Sequence, residues 1–400
     1  MKALLVSFTE STNIGDQLIV KSLENFLEKK MEVVKYSYGL KKGNIELKKN
    51  NESNSLEKSY IRNLYAENLR KTYVFDNAHR YLNNAKAKYN PYWKEFLKDL
   101  NTSDVLVLGG GNAIFDLTAN SLAAYKTNLL IEKAKELNKK IFVLSVGIGP
   151  FITRKQIEYT KKTLNKCDYV TFRDEKSLNY FIEDEKQKHN MHLSIDPVFL
   201  LEKRNNKMVK SKKTIGICII DYRLNKANES QYTKYVNDFS KLIENIINRT
   251  EYSVVLFSTE IRDYQGVKDV YSLLANKEKV RMDTINTAEE LLDLYESFDL
   301  VLGTRMHSMI VALSQYIPVV GLSWQQKVSE MFKILDDDES VFDIEQIDLY
   351  MDKIIEACNK KLENISKEKE RLIDFKNKAK MKFEINNKIL IKLNNNMHSC

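Results

Sequence analysis

The sequence predicts an α/β protein of two Rossmann-like halves with a cleft between them and a charged C-terminal helical tail. Three observations predict this. Near-continuous apolar runs of strand length alternate with segments of helical spacing, the mark of a parallel sheet covered on both faces. The alternation stops at a basic, polar stretch and then restarts. Glycine and proline are scarce, 12 and 4 among 400 residues, and eight of the glycines and three of the prolines stand close to the ends of the apolar runs.

Residues 2–8 (KALLVSF) form the first strand, NIGD follows, and 17–29 has helical spacing with Leu18, Leu23, Phe26 and Leu27 apolar. Residues 104–108 (DVLVL) form a strand running into Gly109-Gly110-Gly111-Asn112. A helix near 119–138 leads to the strand 141–146 (IFVLSV), which ends in Gly147-Ile148-Gly149-Pro150. The strand 168–172 (DYVTF) ends in Arg173-Asp174. Between about 40 and 100 the pattern lapses into a polar, Asn/Lys-rich insertion and then an aromatic-rich helical stretch over 61–99. The first domain is therefore 1–200, with its insertion at about 40–100. Residues 201–213 (LEKRNNKMVKSKK) read as a linker. The second domain, 214–339, has strands at 214–220, 253–257, 298–302 and 317–321, and helices at 230–247, 266–275, 288–297, 305–315 and 325–335. The tail, 340–400, keeps a helical period over 340–394.

Composition excludes several classes. With 43% hydrophobic and 30% charged residues the chain can build real cores, so wholesale disorder is excluded. Cys167, Cys218, Cys358 and Cys400 lie far apart, which excludes a CxxC site and fits a reducing compartment. The first apolar stretch runs into Thr9, Glu10 and Ser11, too short for a signal peptide, and no run reaches the length of a membrane-spanning helix. We expect a cytoplasmic protein. The formal charge of +8 is spread along the chain without a nucleic-acid-binding signature, so specific nucleic-acid binding is not expected. Anionic small substrates, or peripheral contact with the inner membrane face, fit the charge better. No HExxH, paired HxH or acidic cluster suggests a metal. His79, His189, His192 and His398 lie in polar segments that read as exposed, and Asp336-Asp337-Asp338-Glu339 reads as a solvated loop.

In parallel sheets, ligands bind beyond the carboxyl ends of strands. Gly15, Gly109, Gly110, Gly111, Gly147 and Gly149 all stand at such ends. They either make tight turns or let a ligand approach closely. Neither GxGxxG nor a Walker pattern is present. Asp16, in Asn13-Ile14-Gly15-Asp16, either caps the next helix or serves as an acid or base. Arg173 either faces the ligand crevice or pairs with Asp174 or Glu175 at the surface. The strongest local feature is Gly303-Thr304-Arg305-Met306-His307-Ser308. Thr304 is a natural N-cap, placing Arg305 and His307 in the first helical turn, with Met306, Met309, Ile310 and Leu313 on the buried side. Two basic groups there oppose the helix dipole and suggest a bound anion. Arginine offers a fork to phosphate or carboxylate, and histidine moves a proton near neutral pH. The plainer alternative is a half-buried histidine beside a surface arginine.

With these residues in view, the chain resembles the polysaccharide pyruvyl transferase family. The matching pieces are NIGDQLI at 13–19, LGGGNAIFD at 108–116, SVGIGP at 145–150, FRDEKSL at 172–178, DPVFLL at 196–201, and GTRMHSMIVAL with PVVGLSW across 303–324. Together they cover about 1–335, the 40–100 segment excepted. Met306 and Ser308 stand where the family often has Leu and Ala. The resemblance implies a GT-B-like architecture of two facing domains. It implies transfer of the enolpyruvyl unit of phosphoenolpyruvate onto two hydroxyls of a saccharide, giving a pyruvate ketal and free phosphate without a further cofactor. The acceptor it implies is a lipid-linked or polymeric saccharide of the cell surface. His307, Asp16, Arg305 and Arg173 carry over as catalytic residues. Asn13, Gly15, Gly109, Gly110, Gly111, Asn112, Gly147, Gly149, Gly303, Thr304 and Ser308 are expected to line the substrates. Two other readings remain at this point. One is a nucleotide-sugar glycosyltransferase, with Glu330 as an acid for the ribose. The other is a non-catalytic subunit of polysaccharide synthesis.

Overall fold

The computed structural model describes residues 1–43, 90–116, 121, 123–181, 190–204, 212–225 and 227–398. Most of the expected insertion at 40–100, the centre of the expected linker, and His79, His189 and Cys400 lie outside the described residues. The chain divides into two compact units. The first comprises 1–10, 19–197 and 382–400, and the second 11–18 and 198–381.

In the first unit β1 (Lys2–Ser7), β2 (Glu32–Ser37), β3 (Val105–Gly109), β4 (Asn112–Ile114), β5 (Lys140–Ile148), β6 (Tyr169–Phe172) and β7 (Met191–Leu193) form one sheet. Its order is β2-β1-β3-β5-β6-β7, with β4 paired to β5. Every pairing is parallel. Leu4, Val6, Leu106, Leu108, Ile141 and Val143 belong to one buried cluster with Phe96 of helix Trp93–Thr102 and Leu130 and Ile131 of helix Ala123–Glu136. Burying each such side chain stabilises by about 1.5–3 kcal/mol relative to exposure. Helix Arg154–Leu164, which the periodicity does not announce, starts at a capping box formed by Thr153 and Gln156.

In the second unit β8 (Thr214–Cys218), β9 (Ser253–Phe257), β10 (Val280–Met282), β11 (Leu300–Gly303), β12 (Val319–Ser323) and β13 (Val341–Asp343) form a sheet of order β10-β9-β8-β11-β12-β13. It too is parallel throughout. Ile215, Ile217, Val254, Leu256, Leu300 and Leu302 pack with Phe239, Ile243 and Ile246 of helix Glu229–Arg249.

Two parallel-sheet α/β units and a helical C-terminus agree with the expected fold class. Several details differ. The stretch from 340 is not helical throughout: it opens with β13, and helices Ile347–Glu363 and Ile365–His398 follow. Nor does 340–400 stand apart, since 340–381 groups with the second unit and 382–400 with the first. Buried Ile354, Leu362, Leu372 and Leu393 explain why. Asp336, Asp338 and Glu339 of the acidic run are exposed, as expected, but Asp337 is not. Asp337 is buried, with Lys361 Nζ at 2.7 Å and Arg371 Nη2 at 3.0 Å. His192 is a half-buried residue of β7, and burial, then Lys392, hold its imidazole below the ordinary range. The first residues of the expected linker are tied down: Arg204 pairs with Glu289 and Asp293.

Candidate functional site

In the second sheet the chain leaves β8 toward β9 and β10 on one side and returns to β11 and β12 on the other. Adjacent β8 and β11 thus flank the topological switch point, where parallel sheets bind ligands. Their last residues, Cys218 and Gly303, are paired. Thr304 Oγ1 donates to the Cys218 carbonyl at 2.8 Å, stitching the two strand ends together. With its hydroxyl so engaged, Thr304 is not the helix cap. Arg305, with φ −98° and ψ 129°, takes that position before helix Met306–Ser314. Ser308 Oγ closes the turn by donating to the Arg305 carbonyl at 2.6 Å. A Cβ on Gly303 would lie 2.4 Å from Met309 Cγ, so glycine there serves close packing of the helix on its strand.

Arg305 is held from behind. Its Nε donates to Asp263 Oδ2 at 2.5 Å, and Asp263 is wholly buried. The other oxygen, Asp263 Oδ1, accepts from the Asp221 backbone N–H at 3.1 Å. Burial pushes the Asp263 carboxyl above its usual range, though Arg305 works against this. Burial also opposes the charge of Arg305, but Asp263 outweighs it and the guanidinium is held above its ordinary value. Among the described residues the Nε bond is the guanidinium's only hydrogen bond. Nη1 and Nη2 therefore keep their donors for another acceptor. The Trp324 ring centre lies 6.0 Å from the Arg305 Cζ. Its Nε1 donates to the Thr304 carbonyl at 2.9 Å.

His307 follows two residues later, half-buried, with Nδ1 3.9 Å from Asp16 Oδ1. The segment carrying Asp16 belongs to the same unit. The Ile14 N–H donates to the Thr259 carbonyl at 2.8 Å, and Asn13 bridges Glu260 in an antiparallel pairing. Thr12 Oγ1 donates to Glu260 Oε1 at 2.7 Å. Ser11 Oγ donates to Asp16 Oδ2 at 2.7 Å, which orients the carboxylate. Asn13 Oδ1 accepts from the Gly15 N–H at 2.8 Å. Gly15 is needed for proximity: a Cβ there would sit 2.4 Å from His307 Cβ. The structure thus brings together Asn13, Gly15, Asp16, Thr304, Arg305, His307 and Ser308.

Arg173, Asn112, Gly147 and Gly149 meet within the first unit. Arg173 is almost buried, at 9% side-chain exposure, so it is not a surface residue, although the expected pairing with Asp174 is present. Its Nη1 donates to buried Asp196 Oδ2 at 2.9 Å, and Asp174 Oδ2 lies 3.5 Å from Nε. A Cβ on Gly147 would lie 2.8 Å from Arg173 Nε and 2.9 Å from Asn112 Oδ1. Asn112 Nδ2 donates to the Gly149 carbonyl at 2.8 Å. Gly109, Gly110 and Gly111 abut Leu23, Ile19 and Phe8, which is the tight-turn and packing reading of that cluster. Glu330 lies on helix Gln326–Ile334, 3.6 Å from Lys333 Nζ.

Sequence reasoning misses Asp263 and Glu260 as partners of Arg305 and Thr12 in the second unit, and Asp196 as the partner of Arg173 in the first. Asp196 stood in the DPVFLL piece without a role. For Glu260 and Asp263 the available signal was an acid shortly after an apolar strand. Among the described residues no group of three His, Cys, Asp or Glu could hold a metal, and no helix is long and apolar enough to cross a membrane.

Comparison with known proteins places this geometry in context. The family model described as polysaccharide pyruvyl transferase matches residues 13–326. The amylovoran biosynthesis protein AmsJ of Erwinia amylovora is 24% identical over 306 residues, 68% of this chain and 69% of AmsJ. Among solved structures, HepE of Anabaena in complex with UDP-glucose aligns with a TM-score of 0.54 at 8% identity, over 100% of both chains. The UDP-GlcNAc 2-epimerase of Methanocaldococcus jannaschii aligns at 0.52 and 11%, over 90% of this chain and 92% of its own. These two show the fold alone.

Proposed function

The chain belongs to the polysaccharide pyruvyl transferase family, and from that premise we propose that it moves the enolpyruvyl unit of phosphoenolpyruvate onto two hydroxyls of a saccharide. One hydroxyl adds to the donor's central carbon and gives up its proton, while the methylene carbon takes one and becomes a methyl group. The second hydroxyl then displaces phosphate, and a cyclic ketal results. The observation that carries this reading is Arg305, held through Nε at the switch point of the second sheet, with His307 and Asp16 beside it.

The residue types suit the steps. The Nη1 and Nη2 donors of Arg305 would take an anionic group of the donor, bidentate and charge-assisted. The His307–Asp16 pair would move the protons, a task for a histidine aligned by a carboxylate. The site would use no further cofactor. The acceptor is a saccharide, and a lipid-linked precursor at a membrane surface is one form it could take.

The test is phosphate release from phosphoenolpyruvate against a panel of saccharide acceptors, with mass analysis of the product. Arg305→Ala and His307→Ala should each reduce turnover by a factor of about 10²–10⁴, the usual worth of an acid–base or charge-stabilising group. Near wild-type turnover in both would remove these assignments. Thermal stabilisation by nucleotide sugars and none by phosphoenolpyruvate would favour glycosyl transfer instead. A ligand at 100 times its dissociation constant should add about 2.7 kcal/mol.

A further inference from the structure

We propose that Asp263 is a positioning residue that fixes which edge of Arg305 meets the donor: with Nε committed to Asp263, the anion is received end-on by Nη1 and Nη2. The inference rests on the proposed function for the identity of the donor but not for the pairing itself.

A guanidinium presents two forks, one from Nε with a terminal nitrogen and one from the two terminal nitrogens. The 2.5 Å bond to Asp263 occupies the first. Asp263 is in turn held on several sides. Its Oδ1 accepts from the Asp221 N–H at 3.1 Å, Ser258 Oγ lies 3.4 Å from Oδ2, and the carboxylate is 0% exposed. It therefore cannot follow the arginine if the arginine moves. Gly266 holds the next turn of backbone against this point, since a Cβ there would lie 2.7 Å from the Ile220 carbonyl oxygen. The negative charge behind Arg305 also keeps a guanidinium with only 17% side-chain exposure compensated before any anion arrives.

Two measurements on the full chain test this. The first needs no substrate: the Arg305 Nε–Hε resonance, assigned by its loss in Arg305→Lys, is followed by NMR. It should exchange slowly with solvent in the wild type and become fast-exchanging in Asp263→Ala. The second is steady-state kinetics. Asp263→Ala should raise the donor KM by about tenfold or more, the scale of one hydrogen bond to a charged group, with a smaller change in kcat. Asp263→Asn, which keeps an acceptor oxygen, should fall between. A purely structural role would lower the unfolding midpoint without splitting KM from kcat, and that result overturns the proposal. So does an Hε signal that is fast-exchanging in the wild type or unchanged in Asp263→Ala. If wild-type protein releases no phosphate from phosphoenolpyruvate with any acceptor, the functional reading falls, and the wild-type Hε exchange rate decides the pairing by itself.

Discussion

A single methyl group at residue 15 would decide the geometry of the His307–Asp16 pair. Gly15 is the only residue type that lets the start of helix Ile14–Glu28 lie against the imidazole, because a Cβ would come within 2.4 Å of His307 Cβ and 2.7 Å of Nδ1. Real carbon atoms do not approach so closely, so Gly15→Ala must move either the ring or the helix. We expect that substitution to cut kcat by about tenfold or more, since displacing a reacting group by about an ångström is enough to do so. The unfolding midpoint should change far less. Unchanged kcat with acceptor and donor saturating would show that the close approach has no bearing on turnover. Arg305 and His307 were legible from the sequence because arginine and histidine beside a helix start oppose its dipole and so demand an explanation. Asp263 was not. It meets Arg305 across 42 positions of sequence, and an aspartate after a strand looks the same whether it is buried or solvated.

The strands show the same division. β1, β3, β5, β6, β8, β9, β11 and β12 carry near-continuous apolar runs because both faces are covered, and these were legible. β4, β7, β10 and β13 are three residues each, too short for a periodic signal. β2 (EVVKYS) is an edge strand whose polar residues break the run. Helix Met306–Ser314 is anchored at its far end by a lysine from another helix. Lys376 Nζ, on helix Ile365–His398, donates to the Ser314 carbonyl at 2.8 Å and the Leu201 carbonyl at 2.5 Å. Burial, then Lys380 and Lys203, push its ammonium down to about 8, with Glu202 opposing. A lysine depressed on folding contributes stability that is present above its unfolded value of 10.5 and is lost as pH falls through about 8. The stability of the wild type relative to Lys376→Met should therefore rise between pH 7.5 and 9.5, two values chosen to bracket about 8. Urea unfolding of both proteins at the two pH values checks this. A flat or falling difference would mean that the two carbonyls keep the ammonium charged throughout.

At the scale of the whole molecule, the last stretch of chain completes a core begun by the first. Residues 382–400 belong to the unit that starts at Met1, and Phe383, Ile389, Leu390 and Leu393 are buried. Hydrophobic spacing alone could suggest that burial but not its address, because an apolar helical face fits any apolar surface. The address is polar. Asn386, 0% exposed, donates from Nδ2 to Ser194 Oγ at 2.7 Å and Ser145 Oγ at 3.2 Å, and its Oδ1 accepts from Thr171 Oγ1 at 2.7 Å. Ser145 and Thr171 belong to β5 and β6, where the register slips between Val143 and Val146. Ser145 takes a positive φ of 49° there, and the Ser145 N–H donates to Thr171 Oγ1 at 2.8 Å. The irregularity in the sheet and the asparagine of the helix therefore satisfy one another, and they specify where the helix docks. Asn386→Leu would keep the size and remove three hydrogen bonds, at about 0.5–1.5 kcal/mol each, while Ser145 Oγ and Ser194 Oγ keep one another at 3.0 Å. The urea midpoint of the full chain should fall accordingly, and by more than for Lys388→Leu on the exposed face of the same helix. Equal midpoints for the two variants would mean that apolar packing alone holds the terminal helix and that the polar cluster contributes nothing to its placement.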